Sequence, residues 1–472
     1  MRMFVCTLGL MLAAGLIRAQ SFHADIPKVW DDREMARLEL PLAHAEASPK
    51  HVPAEYYYRI PVRTIYKSYP PVAPGQDFNE YVSRLEQTEP EIAFDASKLR
   101  TKDDWIRAGK AVFEAPTSFI SDGVRSSPSR AFLSRYVVRR KGHVDQGNLS
   151  CANCHVRRMT DGTVIPGAQE YFPASQRGLA VPAGTPVQLR ATIARMFATP
   201  WFQPDPNTLF ESDQELAGFN QFFAGTRARM GASLRWPVQI PDLIGVRDRK
   251  YLDHTGMVQQ RSIADLMRYA ATNQGDGYMQ ALSHYGDFVP QGDLPDPTTL
   301  ERFSDEQLYA LALYLYSQEP PPNPNRFDDL AARGQKVFER EGCAGCHPPP
   351  LYTNNKITPA EGFQIPEDHR RKYEVLPLVV GTNPYLAMKT RRGTGYYKVP
   401  SLKGVWYRGP LEHNGSVATL EDWFDPARLR EDYVPTGFKG FGLEKRAVKG
   451  HEYGLRLSNE DKRALIAFLR TL

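Results

Sequence analysis

Four cysteines and two histidines carry the most legible chemistry in this chain. They stand as Cys151-Ala152-Asn153-Cys154-His155 and Cys343-Ala344-Gly345-Cys346-His347, one C-x-x-C-H arrangement used twice. Two thiols at this spacing can add across the two vinyl groups of one porphyrin, and the histidine next in line reaches the iron from the proximal side. This is the attachment pattern of c-type haem. Other uses of paired cysteines fit less well. A redox dithiol does not need the adjacent histidine, which is present both times. A zinc site drawing on all four thiols would join motifs about 190 residues apart. The fifth cysteine, Cys6, lies in the N-terminal apolar run, so no thiol is left over for a disulfide. Two covalently bound c-type haems are therefore expected.

The elements that must position these motifs also come in two copies. Gly109, Val112, Phe113 and Glu114 match Gly334, Val337, Phe338 and Glu339 at a constant offset, each on an amphipathic helical pattern leading towards a motif. Downstream, Pro241-Asp242-Leu243-Ile244-Gly245-Val246 matches Pro400-Ser401-Leu402-Lys403-Gly404-Val405. His254 and His413 each follow thirteen residues after their proline. A third block closes each copy: Ser304 and Ser458 read as N-caps, with Gln307 and Asp461 three residues on. Apolar stripes follow, Leu308, Leu311, Ala312 and Leu315 in one copy and Leu465, Ile466, Phe468 and Leu469 in the other. In the second copy the motif begins five residues after Phe338; in the first it begins thirty-eight after Phe113, so the first copy carries an insertion.

The 472 residues are 42% apolar and 24% charged, a globular composition. The net charge of +5 is spread along the chain without a dense basic run, which argues against nucleic-acid binding. Arg2, the apolar run Met3 to Ile17 and the small residue Ala19 form a secretory signal pattern, too short for a comfortable membrane span. The expected address is periplasmic or secreted after cleavage, with no stable membrane span. Five segments follow: a signal peptide over 1–20, an N-terminal extension over 21–100, a first haem domain over 101–318, a Pro-rich linker over 319–325, and a second haem domain over 326–472. Strand alternation is scarce. The expected fold is mainly α, two tandem class I-like cytochrome c domains with long loops plus the extension.

The tandem C-x-x-C-H domains, with Tyr397-Lys398-Val399-Pro400-Ser401-Leu402 leading into His413-Asn414-Gly415, resemble the di-haem cytochrome c peroxidase superfamily over residues 101–472. That superfamily includes bacterial di-haem peroxidases, the maturation enzyme of methylamine dehydrogenase, and di-haem rubber oxygenases. The tail Gly450-His451-Glu452-Tyr453-Gly454 and the long gap between motifs look most like the rubber-oxygenase branch. The resemblance implies a first haem, on His155, that reacts with peroxide or oxygen, and a second, on His347, that relays electrons. It also brings calcium as a candidate ion between the domains.

The resemblance then distributes the remaining roles. Peroxidases place a methionine ligand fourteen residues after the position of His413; Ala427 stands there and cannot ligate. No tyrosine of the kind the maturation enzyme uses is near it. His451 is the first candidate for the distal ligand of the second haem, His413 the second, and Met388 a weaker third. A histidine partner would lower the relay potential relative to methionine. For breaking the O–O bond, peroxidases use a glutamine and a glutamate; Leu266 falls at the glutamine position and Asp276 near the glutamate. Asp276, Tyr269 and His254, the last at the place of the peroxidases' inter-haem tryptophan, are the catalytic candidates. Asp276 and Tyr269 also have plain structural readings, as turn aspartate and core tyrosine, and His451 and His413 as polar loop histidines bonded to a haem propionate or the backbone. Two functions stand side by side: a redox enzyme acting on peroxide, oxygen or an organic substrate, or an electron-transfer cytochrome with both irons six-coordinate. In either, a small redox protein is the expected donor or acceptor, and the mild positive charge would favour an acidic one.

Overall fold

The structure is a computed structural model, and it describes residues 22–43, 51–73, 75–121, 124, 135–171, 224–229, 233–274, 294–390, 392–440 and 443–472. The segment expected to be a signal peptide (residues 1–20) and Asp276 lie outside the described residues.

Two helix pairs organise what is described. In the first copy, α4 (Lys102–Glu114) packs on α6 (Asp305–Tyr316); in the second, α7 (Asp329–Arg340) packs on α8 (Asn459–Arg470). All four start at side-chain caps. Thr101 and Ser304 form capping boxes with Asp104 and Gln307, Asp328 accepts from the Ala331 N–H at 2.9 Å, and Ser458 accepts from Asp461 N at 3.1 Å. Each pair crosses at a glycine. A Cβ on Gly109 would sit on the carbonyl of Ala310 and 2.8 Å from the Tyr314 Cβ. One on Gly334 would sit on the carbonyl of Ala464 and 2.8 Å from the Phe468 Cβ. Next to each crossing two rings meet, Phe113 with Tyr314 at 5.2 Å and Phe338 with Phe468 at 5.3 Å. The sequence repeat is thus a repeated packing device: glycine lets two helices approach, and the aromatic four residues on fills the space beside them.

The N-terminal extension is part of the first core. Helices α1 (Asp32–Leu38) and α2 (Ala54–Arg59) bury Trp30, Met35, Leu38, Tyr57 and Ile60 against Trp105, Val112, Phe113, Leu308 and Leu311. Trp30 stacks on Tyr57 at 4.2 Å and donates from Nε1 to the Val52 carbonyl at 2.9 Å. The Arg302 guanidinium lies over the rings of Tyr57 and Tyr58 and donates from Nε to the Ile60 carbonyl. Helix α5 (Ile263–Ala271) buries Leu266, Met267 and Ala271 in the same core.

The expectation of a mainly α chain needs correction. Among the described residues are eleven α-helices and twelve short strands, 32% helix and 13% strand, a mixed fold. Strands β1 (Ser68–Tyr69), β2 (Ser118–Ile120), β3 (Arg135–Arg140) and β4 (His143–Asn148) form an antiparallel sheet in the order β1-β3-β4-β2. Helix α3 (Phe78–Glu86) packs on it through Phe78, Tyr81, Val82 and Leu85. These strands evade a search for alternation. In β3, Tyr136, Val137 and Val138 are buried in succession, and a register shift separates Val137 from Arg140. The remaining strands, β5 (Val156–Arg158) to β12 (Tyr396–Lys398), pair two by two, and all but β7 (Thr226–Arg229) and β8 (Ser233–Gln239) have only two or three residues, too short for a period to register. Among the described residues, no helix is long and apolar enough to cross a membrane.

Candidate functional site

Each C-x-x-C-H motif folds as one tight turn, Cys151–Asn153 and Cys343–Gly345. The turn closes when the backbone N–H of the histidine donates to the carbonyl of the first cysteine, His155 to Cys151 at 3.0 Å and His347 to Cys343 at 2.8 Å. Asn153 braces the first by accepting from the N–H and hydroxyl of Ser150. Gly342 enters the second at φ +74°, a left-handed conformation that glycine adopts without strain. No two of these four cysteines are bonded to each other. Burial pushes the Cys151 thiol up to about 12 and Cys343 up to about 11. Such thiols are poor thiolate nucleophiles at neutral pH.

The two histidines are oriented alike. His155 Nδ1 lies 3.1 Å from the carbonyl oxygen of Pro241. His347 Nδ1 lies 3.1 Å from the Tyr352 carbonyl, and the Pro400 carbonyl also faces that ring. Pro241 and Pro400 are the repeat prolines. A backbone carbonyl at Nδ1 fixes the proton there and leaves Nε2 as the lone-pair nitrogen, the tautomer an iron needs.

A cavity of about 330 Å³ opens beside His347. Phe338 of α7, Leu465 and Leu469 of α8, and the loop residues Leu402 and Val405 line it. His451 also lines it, its ring 5.2 Å from that of Trp423, and its Nδ1 is buried with no hydrogen-bond partner. Burial, with His347 and Arg428 next in weight, lowers the His451 pKa to about 3, so the ring is neutral. A neutral imidazole whose Nδ1 has no hydrogen-bond partner, in the cavity of another histidine, is a residue that could join it in holding a metal.

Arg428 holds His451 in place, and sequence reasoning missed it. This fully buried arginine follows Ala427 directly. It donates to the carbonyls of Trp423, Val448 and His451 at 2.9, 2.8 and 2.7 Å, with its guanidinium 4.6 Å above the Trp423 ring. Its sequence signal is slight, an arginine in a polar loop beside the position where a ligand was sought.

His254 and His413 line the same cavity but are otherwise engaged. His254 Nε2 donates to the Gln239 carbonyl at 2.6 Å, and burial lowers its pKa to about 4. His413 Nδ1 bonds the Glu412 carboxylate. Their backbones are exchanged between copies: Gln239 N donates to the His413 carbonyl at 2.8 Å and Lys398 N to the His254 carbonyl at 3.0 Å. Asp253 and Glu412, just ahead of each histidine, share the left-handed conformation at φ +66° and +73°. Tyr269 donates to Asp253 at 3.2 Å and so reaches the neighbour of His254, but it does not line the cavity. Met388 packs with Val238, Leu386 and Tyr397 and does not itself line the cavity, and Leu266 is core. Among the described residues no three His, Cys, Asp or Glu side chains converge as a metal site, so the calcium candidate finds no ligand cluster there.

No family model matches the sequence, and no curated protein matches it. Among solved structures the chain is similar to hydrazine synthase from Kuenenia stuttgartiensis, at 15% identity over 67% of this chain and 98% of that one, with a TM-score of 0.30. It is also similar to a MauG-like protein associated with microbial copper homeostasis, at 16% identity over 50% of this chain and 75% of that one, again with a TM-score of 0.30. Likenesses this slight leave the chemistry to the chain's own residues.

Proposed function

We propose that the protein is an exported di-haem c-type oxidoreductase that reacts with peroxide or oxygen at a first haem, on Cys151 and Cys154, and relays electrons through a second, on Cys343 and Cys346. The observation that carries this is the double one: two C-x-x-C-H turns, each between a glycine-crossed helix pair and a proline loop, each with its histidine Nδ1 facing a backbone carbonyl. Haem iron, when bound, supplies the redox chemistry. The rest falls to the side chains. His155 and His347 offer Nε2 from the proximal side, and their carbonyl partners raise the basicity of that nitrogen. His451, steadied by Arg428, would hold the second iron together with His347, and the centre would then serve as a relay. Phe338, Leu465 and Leu469 give it an apolar wall. His254 and Tyr269, beside the seam between the copies, stay candidates for the reactive side together with Asp276.

The test is optical and paramagnetic resonance spectroscopy of the purified holoprotein, before and after stoichiometric peroxide, with a haem count per chain. Two covalent haems, one high-spin and one low-spin, both responding to peroxide, are expected. Two low-spin haems that ignore peroxide and carbon monoxide would make the protein an electron carrier instead. A chain exported intact without covalent haem would overturn the reading.

A further inference from the structure

Tyr396 and Tyr397 are neighbours on β12 and so face opposite ways. Tyr397 lines the cavity beside His347. Tyr396 enters a small core with Leu40, Tyr251 and Ile357, where Phe363 meets its ring edge-on at 4.9 Å. Tyr251 belongs to both places, since it also lines the cavity. Tyr396 is fully buried, and its hydroxyl lies 3.0 Å from Nδ1 of His369, the first residue of a short helix His369–Lys372.

The direction of that bond follows from its setting. Among the described residues His369 is the hydroxyl's one partner. A proton on Nδ1 would leave the buried O–H with nothing to bond, and a phenol is the better donor of the two. Tyr396 therefore donates, and His369 bears its own proton on Nε2. That nitrogen bonds no protein group among the described residues and is not sealed from solvent. Burial above all lowers the His369 pKa, so the ring is neutral. Burial likewise pushes the Tyr396 phenol up to about 12, so it keeps its proton at neutral pH.

A buried phenol gives up an electron far more easily when a base beside it takes the proton. Two other buried phenols bond carboxylates, Tyr251 to Glu374 and Tyr407 to Asp242. The Tyr396 pair differs from both. Its base is an imidazole, which takes a proton at Nδ1 and carries the resulting charge out to Nε2, towards water and the Asp368 carboxylate. No new charge is left in the core.

We propose that Tyr396 is a redox-active tyrosine and that His369 is the acceptor of its proton. Tyr396 gives up one electron, its O–H bond breaks, and the proton passes to His369 Nδ1. A neutral phenoxyl radical remains, hydrogen-bonded to an imidazolium. One electron from a donor reverses the step, with the proton returning from Nδ1. The electron that leaves goes to the haem of the neighbouring cavity after peroxide has oxidised it, so the oxidant rests on the haem reading above. The pair then holds one oxidising equivalent away from the haem, in a dry site.

Two readouts on the holoprotein test this. Nitrogen NMR of histidine-labelled protein, without peroxide, should show His369 as the Nε2–H tautomer; its signal is assigned by loss in His369→Gln or, should that variant not fold, by its shift in Tyr396→Phe. An Nδ1–H tautomer overturns the proposal whatever the haem content. Paramagnetic resonance of samples frozen at intervals after adding peroxide should show a tyrosyl radical, narrowed when the tyrosines are ring-deuterated. It should be lost in Tyr396→Phe and in His369→Gln and kept in Tyr407→Phe. A radical of wild-type yield in Tyr396→Phe overturns the proposal. So does the absence of a tyrosyl radical in wild-type protein whose haem responds to peroxide. A haem that ignores peroxide refutes the reading above, and with it the oxidant named here, while the tautomer still decides the bond.

Discussion

Replacing Gly334 by alanine tests whether the glycine crossing holds the second copy together. On an open helix face the change is favourable by about 1 kcal/mol, because alanine has the higher helix propensity. Here the new Cβ would lie 2.5 Å from the carbonyl carbon of Ala464, closer still to its oxygen, and 2.8 Å from the Phe468 Cβ. Ordinary contact begins at 3.4 Å, so α7 and α8 must part by more than ~1 Å. The obstacle is backbone, which no rotamer change can move aside. Overpacking of this kind costs about 1–3 kcal/mol, and a gap of 0.5–1 Å forfeits a quarter to a half of each dispersion contact across it. Val337, Phe338, Leu465 and Phe468 all sit at that seam. We expect a net loss of about 2 kcal/mol, roughly 4–8 °C in the melting transition of the second copy. The assay is thermal and urea unfolding of the holoprotein, followed by far-ultraviolet circular dichroism, with Gln335→Ala on the exposed face of α7 as control. A Gly334→Ala protein as stable as wild type, or about 1 kcal/mol more stable, would refute the reasoning. Gly109→Ala should repeat the loss in the first copy, since its Cβ meets Ala310 and Tyr314 in the same way.

Four further outcomes are expected. Trp30→Ala should cost about 3–5 kcal/mol, measured by urea unfolding, because the ring is fully buried in the first core; a loss under 1 kcal/mol would mean the extension is dispensable. His451→Ala should turn the second haem from low-spin to high-spin and let it bind carbon monoxide, read in the optical spectrum, and an unchanged low-spin spectrum would assign the distal ligand elsewhere. Changing Cys151 and Cys154 together to alanine should halve the covalent haem measured per chain. The fourth concerns acid. His254 is neutral when folded down to about pH 4 but protonates near 6.5 when unfolded, so its contribution is present above 6.5 and lost as pH falls towards 4. That amounts to at most about 1.4 kcal/mol per pH unit in this window. His254→Gln should flatten the stability profile there by up to one proton, and a profile of unchanged slope would refute a buried neutral ring.

What could be read in the sequence follows from how each feature is encoded. The C-x-x-C-H turns and helix pairs were legible because a repeated motif of fixed residue types stands out in any sequence and helix packing demands a 3.6-residue period. The pairing of Gly109 with Ala310, and of Gly334 with Ala464, was latent in the matched blocks. Strand β3 was not legible, because burial of three successive residues erases alternation. The role of the extension was hidden for a related reason: Trp30 and Tyr57 belong to a core whose other residues lie far along the chain, at Trp105 and Leu308. Arg428 escaped because its three bonds all go to backbone carbonyls, which carry no side-chain signature. For the same reason the exchange of Gln239 and Lys398 between the histidine loops had no trace in residue type.

That exchange bears on how two haem centres would work together. Two independent cytochromes on one chain need only a tether, and residues 319–325 would serve. Instead the copies are tied at backbone level next to the proximal loops. Arg157, two residues past His155, donates to the Gly409 carbonyl at 2.9 Å. Gln169 and Gln239 both donate to the Pro410 carbonyl, and Tyr407 bonds Asp242, whose neighbour Pro241 faces His155. Every one of these ties joins a residue of the first copy to the stretch Tyr407–Pro410, which follows the proline loop of the second. The separation of the two proximal histidines is therefore set by short hydrogen bonds between their own loops, and the linker contributes little to it. A relay gains from this arrangement, because electron exchange falls steeply with distance and a fixed separation keeps it constant. It also means that a change at the seam, at Asp242 or Tyr407, should be felt at both histidines together, whereas a change in the linker should be felt at neither.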